Sequence, residues 1–296
     1  MPSPYLTNAI CTPLTENESL HKEGLEAHLD AQWKMGAKGI LIGGSMGQMQ
    51  CLKNDTYNDL IREGLAMSRG QGERLVGVGD TCFERTMDRV RFTEQFDADG
   101  IVVLPPYLWK PDRAGIIAYY KTIADQSKKP VFIYHLPVIT GVQMDFEMIK
   151  ELSRHSNIAG IKLSCDYAFT HQVRTMVPSN FRIIPAQPHL LVPLFRVGVI
   201  ENLDGIYSVF PGLMRRLIDA CASENWSVAD ECQLDLSAML QIVVNYGVLP
   251  ACGKLLNAQG VQGKVHMFPI ANDMPPGQAE KLMAEPLVKK VLAYQC

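Results

Sequence analysis

The sequence contains no Cys-x-x-Cys and no His-x-x-His or His-x-x-x-His pair, so a zinc site and a thioredoxin-like redox motif both lack support. Its cysteines, at Cys11, Cys51, Cys82, Cys165, Cys221, Cys232, Cys252 and Cys296, are scattered, which predicts reduced, mostly buried thiols in a cytoplasmic protein. No apolar run approaches the roughly 18–20 residues of a membrane span. The opening Met-Pro-Ser-Pro-Tyr-Leu lacks the basic and apolar regions of a signal peptide. Charge of one sign is also missing. With 28 Lys and Arg against 31 Asp and Glu, the net charge is −3, and no basic cluster invites nucleic acid or an anionic membrane. No Gly-x-Gly-x-x-Gly follows the first apolar run, which argues against a doubly wound open sheet. No Gly-Lys-Ser/Thr follows the glycine-rich turn at 43–47, which excludes a P-loop.

What is present is a rhythm, in a chain of 296 residues that is 47% hydrophobic. Short apolar runs stand at Leu6–Ile10, Gly39–Ile42, Leu75–Val78, Gly100–Leu104, Val131–Tyr134, Ile158–Leu163, Phe181–Ile184 and Leu203–Val209. Each has the length of a strand buried on both faces. Between them lie stretches with helical spacing, such as Leu20–Met35, Thr56–Ser68, Thr86–Phe96 and Ile116–Asp125. Strand and helix alternating eight times predict an α/β fold, a (β/α)8 TIM barrel over 1–211. Residues 212–296 then supply the final barrel helix and a C-terminal helical region packed on it.

Active groups of such barrels stand where strands end, and few polar residues end an apolar run here. Lys162 closes Ile158-Ala-Gly-Ile-Lys-Leu163. A poorly hydrated amine there can attack a carbonyl and form a Schiff base; a lysine that snorkels to water is the plain alternative. Tyr134 ends the preceding run, where a phenol can pass protons to a substrate or simply sit at the rim. Neighbouring strands would bring the two toward one bound carbon. Gly43-Gly-Ser-Met-Gly47 offers backbone N–H groups and the Ser45 hydroxyl to a carboxylate, or is a plain turn. Ser208, after Tyr207 in Gly205-Ile-Tyr-Ser-Val209, either faces the same site or caps the next helix.

In this order these residues resemble the N-acetylneuraminate lyase and dihydrodipicolinate synthase superfamily of pyruvate-handling class I aldolases. The resemblance runs from Ile10-Cys-Thr-Pro-Leu-Thr15, through Gly43-Gly-Ser-Met-Gly47 and Asp99-Gly-Ile-Val-Val-Leu-Pro-Pro-Tyr107, to Tyr134-His-Leu-Pro-Val-Ile-Thr-Gly141 and Gly160-Ile-Lys-Leu-Ser164. It implies a carbon–carbon lyase in which Lys162 is the Schiff-base nucleophile toward pyruvate or another 2-keto acid and Tyr134 the proton shuttle. Gly44, Ser45, Met46, Tyr107, Ser164, Tyr207 and Ser208 are the implied substrate-binding positions. No metal and no cofactor are expected, and a homotetramer is.

Within the superfamily, Tyr134-His-Leu-Pro-Val-Ile-Thr-Gly141 and Lys162-Leu-Ser164 are similar to the lyase branch. The synthase branch has an arginine for a second carboxylate where Ile139 stands, and an isoleucine cannot donate a bidentate pair. Other departures concern proton transfer and specificity. Met46 replaces a hydroxyl residue, Gln48 a glutamate, and Leu108 a tyrosine that many members contribute across a subunit interface. Ala186-Gln-Pro-His189 replaces the lyase's acidic grip on sugar hydroxyls. An altered specificity pocket follows, with 4-hydroxy-tetrahydrodipicolinate synthase-like or 2-keto-3-deoxy sugar acid dehydratase activity as alternatives. An inactive barrel serving as a keto-acid sensor or scaffold is the alternative of another class.

Overall fold

A computed structural model of the protein describes residues 4–269 and 274–294, so Cys296 lies outside the described residues. Eight strands are present: β1 (Tyr5–Ala9), β2 (Gly39–Ile42), β3 (Glu73–Gly77), β4 (Gly100–Val103), β5 (Val131–His135), β6 (Ile158–Leu163), β7 (Arg182–Pro185) and β8 (Glu201–Asp204). They form one sheet in the order β7-β6-β5-β4-β3-β2-β1-β8, parallel at the registered pairs. Each strand neighbours its predecessor and β8 returns to β1, the order of the (β/α)8 barrel that the rhythm predicts. Seven of the eight apolar runs mark their strands to within about two residues.

The eighth does not. The strand expected at Leu203–Val209 is Glu201–Asp204, and Ile206–Ser208 form a 3-10 turn. Asp204 ends the strand by accepting the Ile206 N–H on its carboxylate, at 3.0 Å.

By compactness the chain divides into two units, 1–73 with 188–296, and 74–187. The boundary expected at 211–212 falls inside the first, at the start of a helix. In that unit, α1 (Lys22–Lys34) and α2 (Asn54–Met67) follow the first two strands. In the second unit, α3 (Phe83–Thr93), α4 (Arg113–Gln126), α5 (Pro137–Thr140), α6 (Phe146–Leu152) and α7 (Tyr167–Met176) connect the strands. Three of these start on an aspartate that accepts a backbone N–H of the first turn: Asp112 from Gly115, Asp145 from Met148 and Asp166 from Phe169. The remaining helices, α8 (Leu191–Arg196), α9 (Pro211–Ala222), α10 (Trp226–Asn245), α11 (Val248–Ala258), α12 (Gln278–Ala284) and α13 (Pro286–Leu292), return to the first unit. Its core gathers Tyr207, Phe210, Leu213 and Leu217 against Cys232, Leu236 and Met239 of α10 and Leu255 of α11.

The second unit has an aromatic floor. A methyl group on Gly100 would come within 2.8 Å of the Phe132 ring, and one on Gly160 within 3.1 Å of the same ring and 2.5 Å of the Arg182 carbonyl oxygen. Both glycines therefore make room for Phe132 between β4 and β6. Side chains two residues apart along a strand share a face, so Phe132 directs Tyr134, and Gly160 directs Lys162, to the layer above this floor.

Candidate active site

Tyr134 and Lys162 are direct partners in the β5–β6 register, which puts their side chains side by side on one face of the sheet. Both are buried, with relative exposures of 3% and 4%. The lysine amine stands over the tyrosine ring, its Nζ 3.8 Å from the ring centre. It makes one further contact. Nζ donates to Ser164 Oγ at 2.9 Å, and among the described residues no other hydrogen bond of this amine occurs. Lysine and serine are two apart at the end of β6, and so project the same way. Ser164 is itself tied down, its N–H donating to the His135 carbonyl at 3.0 Å.

The next residue on each strand faces the helices. His135 is fully buried, and its ring stacks on Phe169 of α7, which stacks on Phe146 of α6, with centroids 5.4 and 4.7 Å apart. Neither ring nitrogen of His135 has a partner among the described residues, and burial pushes its pKa down to about 4. Past Ser164, the Cys165 carbonyl accepts from the Gln187 amide, and burial pushes the Cys165 thiol up to about 11. Tyr107 is half-buried after β4, and Leu108 beside it is exposed.

In the first unit, the turn after β2 is built for close approach. Gly43 takes a positive φ of 67°, and Thr12 Oγ1 donates to the Gly47 carbonyl at 2.7 Å. Gly44 is buried, and Ser45 and Met46 are half-buried. Met46 lies on Gly205, just past β8, where a Cβ would come within 1.9 Å of Met46 Cγ. Gln48 is buried and turns its amide to the Val265 carbonyl.

Two expected binding residues have their hydroxyls committed inside the fold. Tyr207 is fully buried and donates to Asn202 Oδ1 at 2.8 Å, which keeps its phenol in the core. Ser208, also fully buried, donates to the Gly205 carbonyl at 2.7 Å, so it closes the 3-10 turn and ends no strand. Sequence reasoning missed the Lys162–Ser164 bond and the Phe132 floor. The glycines at 100 and 160, each inside an apolar run, were the available signal for the floor.

Residues 4–282 match the family model described as the dihydrodipicolinate synthetase family. The chain belongs to this family. Aldolases of the dihydrodipicolinate synthetase family form a lysine Schiff base with pyruvate and need no cofactor. Among similar proteins is a 4-hydroxy-tetrahydrodipicolinate synthase of Exiguobacterium sp. (strain AT1b), 25% identical over 281 residues that cover 94% of this chain and 96% of that one. Among solved structures, the dihydrodipicolinate synthase of Aquifex aeolicus aligns over all of both chains with a TM-score of 0.87 at 21% identity. The N-acetylneuraminate lyase of Proteus mirabilis aligns over 99% of both with the same score at 17% identity. Among the described residues, no group of three or more His, Cys, Asp or Glu could hold a metal ion. No single described helix is long and apolar enough to cross a membrane.

Proposed function

We propose that this family member is a Schiff-base aldolase or lyase that splits a 2-keto acid into pyruvate and an aldehyde, or joins the two. One observation carries the reading: a buried lysine amine, Lys162, held over the ring of Tyr134 at the ends of two paired strands. Attack of the amine on the keto carbon replaces a poor electron sink with an iminium, which accepts the electron pair released when the neighbouring carbon–carbon bond breaks. Tyr134 then gives or takes the proton on the hydroxyl or carbonyl of the aldehyde half. Ser45 and the backbone amides at 44–46 clamp the keto-acid carboxylate in this reading, and Tyr107 is a further substrate-binding position. Both assignments rest on the family resemblance, as does an assembly of four identical chains in the cytoplasm.

Borohydride reduction in the presence of pyruvate tests the proposal. The expected product is a covalent adduct on Lys162; an unlabelled protein, under conditions that label a known aldolase, overturns the reading. It also decides against the inactive sensor or scaffold if 2-keto acids are turned over and Lys162→Ala abolishes the turnover in a folded protein.

A second reading, condensation toward 4-hydroxy-tetrahydrodipicolinate, draws on the curated name of the Exiguobacterium relative. Ile139 speaks against it, being 67% exposed and unable to donate to a second carboxylate. Product analysis separates the branches: pyruvate with an aldehyde marks a lyase, a dehydrated keto acid marks a dehydratase, and consumption of a carboxylate-bearing aldehyde marks a synthase.

A further inference from the structure

Schiff-base formation sets a proton problem that the nucleophile cannot solve alone. The overall step converts an ammonium and a ketone into an iminium and water, so two of the three nitrogen-bound protons end on the departing oxygen. Direct transfer from nitrogen to oxygen within the carbinolamine passes through a strained four-membered arrangement of N, C, O and H. One intervening hydroxyl enlarges this to a six-membered arrangement. An enzyme of this kind therefore gains from a hydroxyl held against the amine.

We infer that Ser164 is a catalytic residue, the hydroxyl relay that carries protons between Lys162 Nζ and the substrate oxygen. This rests on the reading of Lys162 as the Schiff-base nucleophile. Three observations lead to it. Ser164 Oγ is the hydrogen-bond partner of Nζ, at 2.9 Å, whereas the amine meets Tyr134 at the face of its ring. The serine is fixed by its own backbone, through the N–H to the His135 carbonyl at 3.0 Å, and the following residue is fixed by the Gln187 amide. Finally, Lys162 and Ser164 stand two residues apart at the end of β6 and project the same way.

The relay balances with water as the only other proton carrier. The Lys162 ammonium first passes one proton to Ser164 Oγ while the serine's own proton leaves for water. The amine lone pair then forms the C–N bond, and the carbonyl π pair moves to oxygen. Nitrogen now carries one proton too many and oxygen one too few. Ser164 accepts from nitrogen and donates its own proton to oxygen, giving the neutral carbinolamine. A second proton, returned to oxygen from water, lets the C–O bond break with its electron pair, and water leaves as the nitrogen lone pair forms the iminium. Release of product by hydrolysis runs the same steps backwards. Tyr134 serves carbon–carbon bond making and breaking, so the two proton tasks fall to two residues.

The experiment follows borohydride trapping in time after mixing with pyruvate, for wild type, Ser164→Ala and Ser164→Thr. The expected result is trapping on the order of 10²-fold slower in Ser164→Ala at saturating pyruvate, with recovery close to wild type in Ser164→Thr. Small buffer acids and bases should accelerate Ser164→Ala in proportion to their concentration and leave wild type unmoved, a response that a packing defect does not give. Equal trapping rates in wild type and a folded Ser164→Ala overturn the inference while leaving the Schiff-base reading intact. A slow Ser164→Ala with no buffer response, and no recovery by threonine, also overturns it. A wild type that is never trapped sinks the Schiff-base reading itself, and this inference with it.

Discussion

Met46 fills the space that a side chain at residue 205 would need: a Cβ on Gly205 would stand 1.9 Å from Met46 Cγ. The Met46 side chain is thus accommodated by a glycine far along the chain. Gly205→Ala should destabilise the protein by about 1–3 kcal/mol through overpacking. Met46→Ala alone loses buried contact, but the double variant should recover part of the Gly205→Ala loss. A double-mutant cycle from urea denaturation measures this coupling; additive effects would show that the two sites are independent.

Tyr134→Phe separates the ring from its hydroxyl. The ring under the Lys162 amine remains, so pyruvate should still be trapped by borohydride. Turnover of 2-keto acids should fall by about 10²-fold or more, because general acid–base transfer is lost. Unchanged kcat in this variant would remove Tyr134 from the chemistry.

Two buried histidines make the fold acid-sensitive. Burial pushes both His28 and His135 down to about 4 from the ordinary 6.5. The unfolded chain binds these protons at a higher pH than the folded one, so stability is complete above about pH 6.5. It is lost progressively as the pH falls from there toward 4, by about 3 kcal/mol per histidine. His135→Phe fills the stack beneath Phe169 without a titrating group. Its urea midpoint should decline less between pH 6.5 and 4 than that of wild type.

Much of this was legible in the sequence, because strands buried on both faces leave an unmistakable apolar run and a polar residue ending one stands out. Lys162 and Tyr134 stand out in that way as candidates. β8 was not, since Glu201-Asn-Leu-Asp204 has polar residues at three of four positions, while the apolar Ile206 and Val209 beyond it belong to the turn and core. The orientation of the Tyr207 and Ser208 hydroxyls is hidden for a related reason. Sequence shows that a hydroxyl exists but not which way it turns, and the acceptors at Asn202 and Gly205 become adjacent only in the fold. The bond from Lys162 to Ser164 depends likewise on a lysine rotamer.

Asp80 supplies a test away from the proposed chemistry. Its carboxylate accepts Nε and Nη2 of Arg85 at 2.9 and 2.6 Å and pairs with Arg89 at 3.1 Å. Burial opposes its charge, but the two guanidiniums outweigh that and hold the carboxyl below the usual carboxylate value. Asp80→Asn removes the carboxylate that pairs with the buried Arg89 guanidinium, and should cost about 3–5 kcal/mol. A lowered urea midpoint with an unchanged slope would confirm it; an unmoved midpoint would refute it.

The amine, the ring beneath it and the hydroxyl beside it all come from one continuous stretch, Val131 to Ser164, folded as two adjacent strands and the helices joining them. Such a block is portable. Recombination between related barrels at points outside it would exchange the surroundings and leave the three groups together, so new substrates could be acquired without reinventing the reacting centre.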